Sequence, residues 1–431
     1  MTVQIAFPRQ RSFSNLSASI GNLRWGKRDV VEIADMTLVG RAPPGDAADK
    51  RDGETRACVA AAFMPLTAVG TEAWRALAAG AIEPNGYYLP EWEGAVNASA
   101  QGRTGTSALC AWSDAAPTLI GLMPVISMRR AYGIPLPAVV SGHPYGTLCT
   151  PLIDRDRAEA AAASLMRAAR NAGARALILR DVSIDGATMR IFSDVLRRQE
   201  LRPRVLQSHL RACLDATRQP DELLHEALGT KKLKELRRQR SRLASHGAVS
   251  FEVARSPDEV AVATEVFLRL EASGWKGKRG TALVQTDGDA AFLRRATRAL
   301  AATGQCEIVT LRAGSAPVAS GVVLKHQDRA FFFKLGVDER FAKFSPGVQL
   351  TLELTRHLCN DPAIASADST AAPDHPMINP IWRGRFAIGD VMIPLRQHDP
   401  MVSLIETTLR ARLFALYVAR RGVHFVRNLR R

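Results

Sequence analysis

One stretch of the chain combines residue types that can hold an anion. An apolar segment over Ala330–Leu335 indicates a β-strand, and after a charged turn come Ser345, Pro346 and Gly347 and then leucines at helical spacing. A loop whose backbone amides open a helix favours anions, because unpaired N–H groups and the helix dipole both point at the ligand. The sequence therefore predicts a phosphate site here. The candidate ligands are Lys334, Lys343, Ser345, Gly347, Val348 and Gln349.

Three side chains near this segment can do acid or base chemistry. Asp368 ends the next predicted strand, His375 lies in the loop that follows, and Glu271 follows an apolar helix face. The strand, loop and helix around Gly347 resemble the coenzyme A site of GNAT-type acyltransferases. Acyl transfer from a thioester, which that resemblance implies, needs a deprotonated acceptor and often a general acid for the leaving thiol. We predict these three residues as catalytic candidates. Two of them have a structural alternative: Asp368 could cap a turn or a helix, and Glu271 could pair with Lys276.

The candidate acceptor contacts are Trp275, Lys276 and Asp374. Trp275 could equally be a core or pocket wall, and Asp374 could orient His375 or cap the turn. Lys334 lies among phenylalanines, where strand alternation also permits an outward-facing side chain. The sequence has no Gly-x-Ser-x-Gly elbow, Walker loop or Gly-x-Gly-x-x-Gly motif. We therefore predict direct attack in a ternary complex and not a covalent acyl-enzyme.

Composition limits the class of protein. The 431 residues predict two or three domains, and the net charge of +16 indicates either an anionic partner or a solvated, arginine-rich surface. The six cysteines are scattered without a Cys-x-x-Cys pair, which predicts a reducing compartment and no metal site. The sequence has no run of about 18 apolar residues, so we expect no transmembrane helix. We expect a cytoplasmic protein.

Two similar series of elements are predicted. The first comprises a helix over 72–82, a hairpin of 108–112 with 119–126, a helix over 157–172 and a strand over 176–179. The second comprises a helix over 257–270, a hairpin of 306–311 with 318–324, a strand over 330–335, a helix after Gly347 and a strand over 364–367. The shared order predicts a duplicated α/β unit.

The predicted domains follow from this order. They are a disordered basic tail over 1–62, a first unit over 63–220, a basic linker helix over 221–247, a second unit over 248–398 and an amphipathic helix over 399–431. The linker either is solvated or grips phosphates or RNA. We expect the C-terminal helix to pack on the second unit, with an anionic membrane surface as the alternative.

Three separated motifs carry a family resemblance. They are FLRLEASGWKGKRGTAL from Phe267, KLGVDERFAKFSPGVQL from Lys334 and DSTAAPDHPMINPIW from Asp368. Together they resemble the CelD-type cellulose-biosynthesis acetyltransferases, which are bacterial GNAT-superfamily proteins with a tandem, Fem-transferase-like architecture. The resemblance covers residues 65 to 398 approximately.

The resemblance implies a fold and a reaction. The fold would be α/β, with tandem GNAT-like domains that each contain a mixed twisted sheet flanked by helices. The reaction would be acyl-CoA-dependent N- or O-acyl transfer, with acetyl-CoA or another acyl-CoA as co-substrate and no metal. The strand edge over 329–335 would take the pantetheine arm, and the loop over 343–349 would meet the pyrophosphate. The acceptor would be a small molecule or glycan of exopolysaccharide, cellulose or cell-envelope synthesis.

One departure from the family leaves the donor open. The usual loop reads Gln/Arg-x-x-Gly-x-Gly/Ala, whereas this loop has one glycine and loses an amide donor at Pro346. Some Fem-type transferases use aminoacyl-tRNA, so charged tRNA is the alternative donor and nucleic-acid partner. The first unit has no glycine between Cys149 and Arg155, which places the donor in the second unit. A third hypothesis is a non-catalytic accessory protein of a membrane polysaccharide synthase, at the inner face of the membrane.

Overall fold

The computed structural model describes residues 62–113 and 118–429, without the side chains of residues 275, 276, 420 and 422–429. The tail predicted over 1–62 lies outside the described residues except for its last residue. The first half of the described chain comprises β1 (Phe63–Pro65), α1 (Thr71–Ala79), α2 (Pro90–Ser99), β2 (Ser107–Trp112), β3 (Leu119–Ser127), α3 (Met128–Tyr132), β4 (Ala138–Ser141), β5 (Leu152–Ile153), α4 (Ala158–Asn171), β6 (Ala176–Ser183), α5 (Ala187–Arg197) and β7 (Arg204–Asp215).

The second half comprises α6 (Pro220–Leu243), β8 (Val249–Ala254), α7 (Pro257–Ser273), α8 (Trp275–Lys278), α9 (Asp287–Ala302), β9 (Cys306–Ala313), β10 (Ala316–His326), β11 (Arg329–Val337), α10 (Pro346–Cys359), β12 (Ser366–Asp368), β13 (Gly384–Pro394) and α11 (Pro400–Leu429). The elements predicted from the sequence between residues 72 and 367 are present. The structure adds several that the sequence analysis did not predict, among them α2, β4, β7, α9 and β13.

The described strands form one mixed sheet in the order β1-β2-β3-β4-β6-β13-β7-β12-β11-β10-β9-β8, with β5 beside β3. The parallel pairs are β4 with β6 and β11 with β12, and the connection within each pair contains a helix, α4 or α10. Strand β13 lies between β6 and β7, and β7 lies between β13 and β12. Each half therefore contributes its last strand to the other half. The predicted α/β class with two similar units is confirmed.

Strands β10 and β11 have a hydrophobic core on each face. Phe331 and Val322 belong to a cluster with residues of α1, α2, α7 and α9, which we call the first core. Phe332 and Val323 belong to a cluster with residues of α6 and α10, which we call the second core. Neighbouring strand residues point to opposite faces, so the consecutive phenylalanines of β11 fill both cores. This packing fixes β11 between two layers of helices.

Local signals in the sequence set the bounds of the helices that carry candidate residues. The Ser256 side chain accepts a hydrogen bond from the Glu259 amide, and the Glu259 carboxylate accepts one from the Ser256 amide, which forms a capping box at the start of α7. Pro257 occupies its first turn, where a missing N–H costs little. Pro346 does the same in α10. Glu271 thus lies in the last turn of α7.

The predicted linker segment forms α6, which bends at Gly229 with φ 71°. Leu236 and Leu243 are buried in the second core, and Arg240 pairs with Glu353 of α10 at 2.9 Å. Six other basic side chains are exposed. They are Lys231, Lys232, Lys234, Arg237, Arg238 and Arg242.

The C-terminal helix packs on a different surface from the one predicted. Val402, Ile405 and Leu409 of α11 are buried against Val140 of β4 and Ile178 of β6. We expected this helix to pack on the second unit, and that expectation is wrong. The reason is the strand exchange, because β13 lies beside β6 and delivers the following helix to the first half.

A buried carboxylate connects the second half of the sheet to α10. Glu307 of β9 contacts Lys325 at 2.7 Å and His357 at 2.7 Å, and its side chain is 6% exposed. Burial raises the pKa of Glu307, but the hydrogen bonds from His357 and Lys325 outweigh it and hold the pKa at about 2.

This pKa predicts a specific loss of stability in acid. Unfolding returns the Glu307 pKa to about 4.3, so its stabilising effect is complete above that pH and is lost as pH falls towards 2. When the pH falls from 6 to 3, the unfolding free energy of the wild-type protein should fall by about 1–2 kcal/mol more than that of Glu307→Gln. Urea denaturation at the two pH values measures this difference. Glu252→Gln, on exposed Glu252 paired with Arg312, is the matched control. Equal pH slopes in the two variants would contradict the prediction.

Candidate active site

The parallel strands β11 and β12 separate to form a groove. They pair from Arg329 with Ser366 to Phe331 with Asp368, and the Thr370 hydroxyl then donates to the Phe332 carbonyl at 2.6 Å. Beyond that bond no strand of the described chain pairs with this edge of β11. The resulting groove has a volume of about 310 Å³. Its lining is Phe332, Phe333, Lys334, Leu335 and Val337 on one side and Ser369, Thr370, Ala371, His375, Met377 and Ile378 on the other.

A β-bulge lies at the point where the groove opens. Val322 of β10 pairs with Lys334, and Val323 pairs with Phe332, so Phe333 is an extra residue in β11. Such a bulge redirects side chains. Lys334 consequently pairs with Val322 of the first core and lies 5.5 Å from the Tyr145 ring centroid. Regular strand alternation would also permit a Lys334 side chain that faces outward. The bulge instead directs the Lys334 ammonium towards the Tyr145 ring.

Charged and polar side chains from both halves of the chain surround Lys334. Its ammonium lies 3.5 Å from a carboxylate oxygen of Glu271, whose side chain is fully buried and accepts the Leu283 amide at 3.0 Å. The Tyr145 hydroxyl donates to Asp289 at 2.9 Å. We call Glu271, Lys334, Tyr145 and Asp289 the bulge cluster. It can orient a polar acceptor beside the edge of β11.

Tyr145 adopts an uncommon backbone conformation, with φ 58°. Such conformations cluster at functional sites. The Arg103 guanidinium lies 4.7 Å from the Tyr145 ring centroid, and burial lowers the pKa of Arg103. Burial likewise lowers the pKa of His143 to about 3, and this neighbour of the tyrosine therefore stays neutral at physiological pH.

His375 lines the groove, and one of its ring nitrogens is hydrogen-bonded to the backbone. Its Nδ1 accepts hydrogen bonds from the amides of Met377 and Ile378, both at 3.3 Å. An accepting Nδ1 assigns the ring proton of the neutral imidazole to Nε2. His375 is therefore arranged as a donor through Nε2. Asp374 beside it is exposed.

Asp368 lies at the end of β12 but is enclosed. Its carboxylate pairs with the Arg211 guanidinium of β7, and each side chain is 1% exposed. The other carboxylate oxygen accepts the Thr370 amide at 2.8 Å. Arg211 also donates to the Thr147 carbonyl at 2.6 Å. Asp368 thus joins β12, β7 and the loop after β4.

The loop predicted to bind phosphate adjoins the groove at the start of α10. A Cβ added at Gly347 would lie 3.0 Å from Leu335 and 3.2 Å from both Val337 and Met377, which all line the groove. Ser345 precedes the helix with φ 53°, and Lys343 is exposed. The other two candidates face elsewhere: Val348 packs on the second core, and Gln349 is buried and donates to the Leu236 carbonyl of α6 at 2.8 Å.

The corresponding opening in the first half is filled by the chain itself. Strands β4 and β6 pair only as far as Val140 with Ile178. The Tyr88 hydroxyl then donates to the Gly142 carbonyl at 2.9 Å, and the Cys149 amide donates to the Asp181 carbonyl at 3.1 Å. Residues of the first half, joined by these hydrogen bonds, therefore occupy the position that corresponds to the groove of the second half.

The structure brings some predicted residues together and not others. Lys334 and His375 line the groove, Glu271 contacts Lys334, and Gly347 adjoins the groove. Trp275 and Lys276 lie in α8, soon after Glu271, but their side chains are outside the described part. Sequence reasoning missed Tyr145, Asp289 and Arg103, because residues from distant segments meet only through folding. Gly146 was the one signal in the sequence that could have drawn attention to Tyr145. A Cβ at this position would lie 2.4 Å from the Tyr87 ring, so the turn beside Tyr145 requires glycine.

The chain matches one protein-family model. Residues 230–374 match the model described as an acetyltransferase (GNAT) domain, and this range contains β11, the bulge and the groove lining as far as Ala371. No curated protein matches the chain. No helix of the described residues is long and apolar enough to cross a membrane. Within the same residues, no group of three or more His, Cys, Asp or Glu could hold a metal ion.

Several solved structures are similar to the chain. A crystal structure of FemX is 12% identical with a TM-score of 0.51, and the match covers 78% of this chain and 98% of that one. A C-terminal domain (DUF2156) of a putative lysylphosphatidylglycerol synthetase from Agrobacterium fabrum is 15% identical, with a TM-score of 0.48 and coverage of 79% and 95%. A tandem GNAT protein from the clavulanic acid biosynthesis pathway is 13% identical, with a TM-score of 0.38 and coverage of 78% and 99%. At such identities the likeness to FemX shows a shared fold alone.

Proposed function

We propose that this chain, with its GNAT domain over residues 230–374, transfers an acyl group from acyl-CoA to an amine or hydroxyl acceptor. The observation that carries the proposal is the open, bulged edge of β11, which has the bulge cluster at one end and the start of α10 beside it. An extended thioester arm can bind such an edge through main-chain hydrogen bonds. The acyl carbon would then lie near Phe333.

The donor phosphates would bind at the start of α10. Lys334 and the groove wall would contact the arm, while Lys343, Ser345 and the Gly347 amide would meet the pyrophosphate. Val348 and Gln349 would support the loop from within the fold, since both face the protein interior. Trp275, Lys276 and Asp374 stay predicted acceptor contacts.

The bulge cluster suits the chemistry of acyl transfer. Glu271 would take a proton from the acceptor, whose nitrogen or oxygen forms a bond to the thioester carbon. The C–S bond then breaks, and the thiolate leaves and takes up a proton from the solvent, while Glu271 releases the proton that it accepted. His375 Nε2 would donate a hydrogen bond where negative charge develops on the carbonyl oxygen. Asp368 would act as a positioning residue, since one of its carboxylate oxygens is ion-paired with the buried Arg211 guanidinium and the other accepts the Thr370 amide.

The proposed setting is synthesis of an exopolysaccharide, such as cellulose, or of the cell envelope. The support is the resemblance of the three sequence motifs to CelD-type acetyltransferases. The acceptor would be a glycan or small molecule.

Calorimetry with acetyl-CoA tests the donor proposal. Wild-type protein should bind acetyl-CoA at micromolar concentrations, and Ala371→Trp should weaken binding at least tenfold, because Ala371 is half-buried in the groove wall. Ala372→Trp changes the exposed neighbour and should bind as wild type does. This pair of variants is a more specific test than a substitution at Gly347, because a side chain at Gly347 would also disturb Leu335 and Met377.

Two results would favour other functions. If acetyl-CoA fails to bind and charged tRNA binds with an affinity that falls steeply with salt, the protein is an aminoacyltransferase. The exposed basic residues of α6, which packs on α10, favour that second candidate. If neither binds, an accessory role without catalysis remains.

We also propose that α11 holds the protein at an anionic membrane surface. The residues Leu404, Thr407, Ala411, Phe414, Val418, Gly422, Phe425 and Leu429 recur every three or four positions, and none is charged. Among them Leu404, Phe414 and Val418 are 49%, 68% and 50% exposed. From Pro400 onwards the chain has seven arginines and one glutamate, which favours an anionic partner over a second copy of the same basic helix.

Vesicle sedimentation tests this association. The protein should bind vesicles that contain phosphatidylglycerol, and Phe414→Glu should weaken binding at least tenfold. Leu416→Glu makes the same charge change on the other face of α11 and should have a smaller effect. No binding to anionic vesicles, or equal losses in the two variants, would exclude this role for the uncharged face.

A further inference from the structure

A second cavity lies at the opposite end of β11 from the groove. It has a volume of about 820 Å³. Four arginines from four separate segments line it: Arg155 before α4, Arg190 of α5, Arg329 of β11 and Arg385 of β13. Arg329 is four residues before Phe333, or about 13 Å along the strand. The cavity is therefore distinct from the proposed donor site.

Within the described part of the chain, the four guanidiniums have no acidic partner. They donate to neutral oxygens: Arg155 to the Gly80 and Ala81 carbonyls, Arg190 to the Asp185 carbonyl, Arg329 to the Ser366 hydroxyl, and Arg385 to the Trp382 and Gly384 carbonyls. None forms an ion pair within the described residues, although many other arginines of the protein do. The lining therefore contains four positive side chains and three negative ones, Glu83, Asp185 and Asp328, that do not pair with them.

Arg329 is fixed in place and incompletely satisfied. Its guanidinium lies 5.0 Å from the Phe386 ring centroid, and its Nε donates to Ser366 at 3.2 Å. Its Nη1 is buried without a hydrogen-bond partner in the described part of the protein. A buried donor without a partner is costly, and an anionic oxygen in the cavity would satisfy it.

The acidic residues of the lining do not form ion pairs with the arginines. Glu83 is buried and accepts the Thr188 amide at 3.1 Å, so it caps the first turn of α5. A Cβ at Gly186 would lie 2.4 Å from the Glu83 carboxylate, which shows how closely that carboxylate is held. Asp185 and Asp328 are exposed. None of the three forms an ion pair with the four arginines.

We propose that this cavity binds a phosphorylated small molecule with a ring-containing body, such as a nucleotide or a sugar phosphate. Arginine recognises phosphate through paired N–H donors, and four such side chains can hold one or two phosphate groups. Phe386, Ile82 and Pro84 provide apolar walls for the body of the ligand. The cavity size suits a small molecule. This site goes beyond the proposed acyl transfer.

Calorimetry with inorganic pyrophosphate, ADP and glucose 1-phosphate tests the proposal. At least one probe should bind saturably, and Arg329→Gln should weaken that binding at least tenfold. Tighter binding of ADP than of pyrophosphate would identify a nucleotide site, and tight binding of glucose 1-phosphate would identify a sugar-phosphate site. Arg312→Gln is the matched control, because it removes the same charge from Arg312, which pairs with Glu252.

Two further variants separate this site from the donor site. Lys343→Gln should leave binding of the probe unchanged, and Arg329→Gln should leave acetyl-CoA binding unchanged. The proposal is overturned if no probe binds, if Arg312→Gln loses as much affinity as Arg329→Gln, or if Lys343→Gln alone weakens the binding. Because acetyl-CoA is titrated separately, failure of this site and failure of the donor site give different results.

Discussion

Replacement of Asp368 by alanine is expected to lower the free energy of unfolding by about 3–5 kcal/mol. The change leaves the Arg211 guanidinium charged and buried at 1% exposure without its carboxylate partner. It also removes the acceptor for the Thr370 amide at the mouth of the groove. Urea denaturation of the two proteins at neutral pH measures the difference.

The control and a second variant separate stability from catalysis. Asp374→Ala changes an exposed carboxylate six residues later and should alter stability by less than about 0.5 kcal/mol. Asp368→Asn retains the size of the side chain but not its charge, and should also be destabilised. A stable Asp368→Asn protein that binds acetyl-CoA normally and lacks turnover would restore Asp368 as the general base. Loss of activity in proportion to the unfolded fraction would support the positioning role.

The sequence predicted the elements that depend on local patterns. The hairpin of β9 and β10 has apolar strands around Gly314, which takes φ 58° in the turn, and α7 begins with a capping box. Helix α10 follows from Pro346 and the leucine spacing. These signals lie within a few residues of what they determine, so periodicity and turn chemistry identify them.

The strand exchange was not predictable in the same way. Strand β7 contains Arg204, Gln207, Ser208 and His209, and this polar run does not have the apolar pattern of a strand in the middle of a sheet. Its neighbours β12 and β13 come more than 150 residues later in the chain. Register between such distant segments depends on the whole core.

The candidate site shows the same division. The groove position followed from a strand, a loop and a helix that are close in sequence. The bulge at Phe333 did not, because it depends on the pairing of β10 with β11 and redirects Lys334. Tyr145 and Asp289 are 144 residues apart and meet only when the two halves pack. Residues that complete the site from the first half were therefore missed.

Replacement of Glu271 by glutamine is expected to lower kcat by about 100- to 10,000-fold, the usual contribution of a general base. The amide keeps the shape of the side chain and an oxygen that can accept the Leu283 amide, but it cannot take a proton from the acceptor. Acetyl-CoA binding should change little, since the groove wall does not include Glu271. Steady-state turnover with an amine acceptor, together with calorimetry, measures both quantities.

A substitution in the same helix provides the comparison. Glu265→Gln changes a half-exposed carboxylate of α7 that pairs with Arg294, and it should leave kcat within twofold of wild type. Glu271→Gln removes a fully buried partner of Lys334, so some loss of stability is expected as well. Activity per folded molecule is therefore the decisive quantity. If Glu271→Gln turns over as fast as Glu265→Gln, the bulge cluster binds the acceptor without supplying the base, and the proton must leave through another group.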